Sequence, residues 1–311
     1  MNPSLPTGRA ICYSGYRHGQ SPFTGVYPSV EQIREDLHLL SPHWKLLRVY
    51  DSSLHAQRVL QVIREDGLDF RVMLGAHLAA EVSNPGCPWG GLYDDDQLRA
   101  NVAENGAELD RLIELARAFE DTVFSVAVGN ECTVDWTDHL VPVDRMLTYV
   151  RRVKSAVRQP VTFCENYVPW QNKLLPLAAE LDFLSVHTYP LWEYKSIQDA
   201  LAYTQDNVHS VVRCHPDKPV VITEAGWCTR SNGRGMNAAD ANQEMQAAYL
   251  KQLLDWADSE SRPCFVFEAF DEPWKGSPDP LEPEKHWGLY TVDRKPKQVM
   301  AHWPEPGLAG T

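Results

Sequence analysis

Eight short runs of apolar residues punctuate the chain, and between them the apolar positions spread out to a spacing of three and four. Runs of this length are those of strands buried on both faces, whereas the wider spacing is that of helices with one buried side. The runs cover 9–13, 46–51, 70–77, 123–131, 160–166, 181–190, 220–224 and 264–270. Ser29, with Gln32 three residues on, offers a capping box for a first helix whose face is Val30, Ile33, Leu37 and Leu40. Further helices are predicted over 53–65, stopping at Gly67, then over 95–119, 142–157, 196–212 and 238–257.

Strands that alternate with helices imply right-handed parallel crossovers, and eight of them in this length imply closure into a (β/α)₈ TIM barrel. The competing fold is a doubly wound open sheet. That fold calls for a Gly-rich phosphate turn after an early strand, and Gly15 and Gly19 do not form one. There is no internal repeat and no low-complexity linker, so residues 1–311 are assigned to a single catalytic barrel.

In such a barrel the carboxyl ends of the strands carry the chemistry. These ends supply Tyr13, Arg48, Asp51, His77, Asn130-Glu131, Glu165-Asn166, His187, Tyr189, Glu224 and Glu268, with Trp274 just beyond. Glu131 and Glu224 each close an apolar strand. Either acid alone could cap a helix or pair with a lysine. Two in matching contexts on one barrel face a common pocket, the arrangement that glycoside hydrolysis requires. Amides and carboxylates suit sugar hydroxyls, and aromatic rings suit the C–H faces of a neutral carbohydrate. His77 and His187 read as hydrogen-bonding or core histidines, since no HxH or HExxH spacing supports a metal, and no GxSxG marks a serine nucleophile. No cofactor or metal is expected.

Composition narrows the partners. Subtracting 42 acidic from 29 basic residues gives a formal charge of -13, with no basic stripe, which disfavours nucleic acid and polyanionic substrates. The 43% hydrophobic content is that of an ordinary folded chain, expected to be a monomer, and no stretch of 18 apolar residues is present to span a membrane. The seven cysteines show no CxxC pair, and Cys12, Cys164 and Cys264 fall inside predicted strands, so they read as core thiols of a reducing compartment. Residues 1–8 lack a basic and an apolar region of the secretory kind. A cytoplasmic location is therefore expected, with a secreted or periplasmic one as the alternative if an export segment has been removed.

Three motifs make a resemblance specific: 128–131 (Val-Gly-Asn-Glu), 222–227 (Ile-Thr-Glu-Ala-Gly-Trp) and 267–275 (Phe-Glu-Ala-Phe-Asp-Glu-Pro-Trp-Lys), on the fourth, seventh and eighth strands. Together they resemble glycoside hydrolase family 17, the β-1,3-glucanases and glucanosyltransferases, within the Asn-Glu clan of retaining barrels. The last motif is closer to the microbial branch. The resemblance implies that Glu131 is the general acid and then base, and Glu224 the nucleophile of a covalent glucosyl-enzyme intermediate. Arg48 and Tyr189 are expected to keep Glu224 ionised, and Asn130 to bond the sugar 2-hydroxyl. Tyr13, Arg48, Asn130, Glu165, Tyr189, Glu268 and Trp274 form the expected substrate-binding set, and the substrate is a β-1,3-glucan or laminari-oligosaccharide. Rival readings are a glucanosyltransferase, another Asn-Glu clan activity on mannan or galactoside, and a catalytically silent glucan-binding barrel.

Overall fold

The computed structural model describes residues 5–302. The eight apolar runs form strands β1 (Ala10–Cys12), β2 (Leu46–Val49), β3 (Arg71–Ala76), β4 (Val123–Asn130), β5 (Val161–Asn166), β6 (Leu184–Thr188), β7 (Val220–Gly226) and β8 (Cys264–Phe267). All neighbours pair in parallel, and β1 pairs with both β2 and β8, so the sheet closes into the expected eight-stranded barrel. The helices between strands are α1 (Val30–Leu40), α2 (Leu54–Asp66), α3 (Asp95–Ala118), α4 (Val143–Ala156), α5 (Leu175–Glu180), α6 (Ile197–Cys214) and α7 (Gln243–Ser259). Local chemistry explains their ends. Ser29 and Gln32 form the reciprocal capping box that opens α1, and Gly67 takes the left-handed conformation that ends α2.

The structure departs from the sequence expectations at four places. Asn242 accepts a hydrogen bond from the Met245 amide and starts α7 at Gln243, so the segment expected to be helical from residue 238 holds only a short 3₁₀ turn first. α5, with six residues and a proline in its first turn, carries too little periodicity to be read in advance. β6 is shorter than the run that contains it, and β8 ends at Phe267, before Glu268.

The helices wrap a core in which Trp44, Trp170, Trp227 and Trp287 are fully buried. Close backbone approach near the mouth requires glycine at 226, where a Cβ would stand 2.1 Å from the Phe267 carbonyl oxygen. Register slips between Ala127 and Asn130, between Val186 and His187, and between Ile222 and Ala225. Such irregularities re-aim side chains. All three lie at the carboxyl ends of β4, β6 and β7, where Glu131, His187 and Glu224 stand.

Candidate active site

The carboxyl ends of the strands surround a cleft of about 880 Å³, lined by Asn130, Glu131, Tyr189, Glu224 and Trp274 among others. Toward β2 and β3 it continues past Asp51, Ser53 and His77, and toward β5 and β6 past Asn166, Tyr167 and Trp192.

Glu224 lies at the floor and is 5% exposed. Its Oε1 pairs with Arg48 Nη1, and its Oε2 accepts a hydrogen bond of 2.5 Å from the Tyr189 hydroxyl. Burial by itself would raise the carboxyl's pKa. The positive charges of His187 and Arg48, with the bonds from Tyr189 and Arg48, outweigh it and bring the group to about 2. Glu224 is therefore an ionised carboxylate at neutral pH.

Glu131 sits one residue past β4 with φ of 46°, a left-handed conformation, and its side chain is 28% exposed. Gly129, φ 93°, turns the chain just before it, where a Cβ would press on Cys132 Sγ at 3.1 Å. Backbone pairing continues through the turn, with the Glu131 amide donating to the Cys164 carbonyl at 2.9 Å. The side chain thus swings over the mouth to face Glu224.

His187 links the two acids. Its Nδ1 is 2.8 Å from Glu131 Oε1 and 3.5 Å from Glu224 Oε2. The three ligand-type atoms of this group all lie within 4.8 Å of one another. Burial disfavours a charged imidazole here. The charge of Glu224, with bonds and charge from Cys164 and Glu131, prevails and raises His187 to about 10. The cluster has the residue types of a metal site, and its atoms are joined to one another and to Arg48 and Tyr189 by hydrogen bonds.

The expected binding residues divide into two groups. Asn130, Tyr189 and Trp274 line the cleft. Asn130 Oδ1 accepts from Arg48 Nη2, which leaves the amide NH₂ as the donor of a residue that lines the cleft. Trp274 meets Tyr16 and Phe23 edge-on, with ring centroids 5.9 and 5.4 Å apart.

The other four are corrected by the structure. Arg48 is 2% exposed and lies beneath the floor, bonded to Glu224, Asn130 and the Thr223 carbonyl, so it holds the acid rather than the substrate. Tyr13 is buried and donates to Asp36 Oδ2 at 3.1 Å, which ties the end of β1 to α1. Tyr16 occupies the cleft wall in its place. Glu165 is fully buried against Thr133 and Asn166. Glu268 is 2% exposed and bonds Lys275 Nζ at 2.7 Å, while burial holds its carboxyl pKa well above the usual range. Lys275 also pairs with Glu272 at 2.8 Å, and these two, not Glu268, reach the cleft. Both belong to the 267–275 motif, whose charged residues after the strand were the available signal. For His187 the signal was its place on a strand between the two acids.

Residues 10–288 match the BtgE/BtgC glycoside hydrolase domain. The chain belongs to this glycoside hydrolase family. The match confirms the family 17 resemblance drawn from the three motifs. Among similar proteins, a glucan 1,3-beta-glucosidase of Arthroderma benhamiae is 28% identical over 61% of this chain and 65% of its own. A cell surface mannoprotein of Candida albicans is 24% identical over 55% of this chain and 44% of its own. The chain thus spans less than two thirds of the length of either. An endo-laminarinase from Formosa Hel1_33_131 superimposes with a TM-score of 0.80 at 28% identity, covering 94% of this chain and 85% of that one. Among the described residues of this BtgE/BtgC-type barrel, no helix is long and apolar enough to cross a membrane.

Proposed function

We propose that this chain is a retaining glycosidase that cleaves β-1,3-linked glucan or laminari-oligosaccharides through a covalent glucosyl-enzyme intermediate. The observation that carries the reading is the acid pair, whose facing oxygens lie within 4.8 Å. A retaining pair stands about 5–5.5 Å apart, whereas an inverting pair leaves roughly 6.5–9.5 Å for a water. The substrate class is inferred from the glucan 1,3-beta-glucosidase and endo-laminarinase relatives and from the aromatic walls of the cleft, among them Tyr16, Trp192 and Trp274.

In this mechanism Glu224 Oε2 or Oε1 attacks the anomeric carbon and becomes an ester as the glycosidic C–O bond breaks. Glu131 gives its proton to the departing oxygen. The resulting carboxylate then takes a proton from water, which attacks the anomeric carbon and releases Glu224. Asn130 bonds the 2-hydroxyl, a contact that strengthens as oxocarbenium character develops. A cleft that continues on both sides of the acid pair leaves room for sugar beyond the cleavage point, which suits internal cleavage and also a sugar hydroxyl replacing water as acceptor.

The glucan substrate and the cell surface relative favour a place outside the cytoplasm over the cytoplasmic one expected from sequence. Proton NMR of the first-formed product from laminari-oligosaccharides tests the mechanism. The β anomer is expected to appear first and then mutarotate. The α anomer appearing first would rule out the double displacement.

A further inference from the structure

Glu165 was expected to touch sugar, yet no part of it reaches the cleft. Its carboxylate is saturated inside the protein: Oε2 accepts from the Thr133 amide at 3.0 Å and the Thr133 hydroxyl at 2.6 Å, and Oε1 accepts from the Asn166 amide at 2.8 Å. Thr133 is two residues past Glu131, on the far arm of the left-handed turn that presents the acid. The near arm is held by the residue preceding Glu165, since the Glu131 amide donates to the Cys164 carbonyl. Consecutive residues of β5 therefore grip both sides of one turn of β4. A left-handed, non-glycine residue is unfavourable on its own and persists only where its surroundings fix it.

The geometry points to Glu165 as a positioning residue for Glu131: through its bonds to the amide and hydroxyl of Thr133 it fixes the turn that aims the acid. This inference rests on the acid role proposed for Glu131. The titratable groups that face Glu165 are Glu131 and Cys132 from the end of β4 and His187 from β6. Burial first, and then the charge of Glu131, raise the Glu165 carboxyl to about 7, against the bonds from Thr133 and Asn166 and the charge of His187.

The test compares Glu165→Gln, Thr133→Val and Glu131→Gln on laminari-oligosaccharides and on aryl glucosides with good leaving groups. Glu165→Gln is expected to lower kcat on laminari-oligosaccharides by up to about 10²-fold, the cost of a small misplacement. It should leave KM nearly unchanged and spare the aryl glucosides, which need no aimed proton donor. Thr133→Val removes the hydroxyl bond and loosens the turn, so it should show the same substrate contrast. Equal losses on both substrates, or a loss carried by KM, would reduce Glu165 to a structural part and overturn the inference. If Glu165→Gln fails to fold, the substrate contrast in Thr133→Val decides alone, and equal losses there overturn it. If Glu131→Gln itself leaves laminari-oligosaccharide turnover intact, the acid assignment falls and this inference with it.

Discussion

His187 Nδ1 lies 2.8 Å from Glu131 Oε1, which puts a buried imidazolium against the acid and, at 3.5 Å, against Glu224 as well. A histidine ordinarily titrates near 6.5 and here is held up to about 10, so its pairing contributes stability that is complete below about 6.5 and is lost as pH rises toward 10. Thermal unfolding of the wild type should therefore fall more steeply between about pH 7 and 10 than that of His187→Gln. Parallel curves for the two proteins would show that the imidazolium is not formed.

Glu224 carries the opposite sign. Its carboxyl is depressed from 4.5 to about 2, so its contribution is complete above 4.5 and is lost only as pH falls toward 2. Glu224→Ala should lower turnover of laminari-oligosaccharides by roughly three orders of magnitude or more, about 4 kcal/mol of barrier. Azide, small enough for the vacated space, should restore cleavage with inverted configuration. Substantial activity in the Ala variant without azide would remove Glu224 as nucleophile.

Glu131→Ala should slow laminari-oligosaccharides by about 10²–10⁴-fold, the usual contribution of a general acid. Aryl glucosides whose leaving groups need no proton should keep a fast glycosylation step. Equal losses on the two substrate types would contradict the proton-donor role.

Arg48→Met deletes the buried ion-pair partner of Glu224 and leaves that charge to His187 and Tyr189 alone. Breaking such a pair costs about 3–5 kcal/mol. We expect a clear drop in Tm together with an acid limb of kcat/KM that moves to higher pH, because Glu224 then binds a proton more easily. A variant with an unmoved acid limb would mean that His187 and Tyr189 suffice to keep Glu224 ionised.

Much of this arrangement was legible in the residues. Apolar runs ending on Glu131 and Glu224 announced strand ends, and closure brought both acids to one mouth. What could not be read was direction. Tyr13, Arg48, Glu165 and Glu268 also stand at or beside strand ends, but at a carboxyl end a side chain can point up into the cleft or down among the packed layers, and for Glu165 and Glu268 the neighbouring pairings, β4–β5 and β7–β8, also shift register. Apolar periodicity carries no trace of such shifts. The Lys275 and Glu272 side chains reach the cleft from a loop beyond β8, where no periodicity exists to place them.

The left-handed backbone at Glu131 sets selection for robustness against selection for turnover. Such a conformation costs about 1–3 kcal/mol in a residue other than glycine. Asparagine tolerates this conformation, so Glu131→Asn should recover part of that backbone cost while removing the proton donor. A search that ranks variants only by heat resistance would keep Glu131→Asn and discard the catalyst, so in this fold the position most worth guarding during thermostabilisation is one that stability data alone would nominate for change.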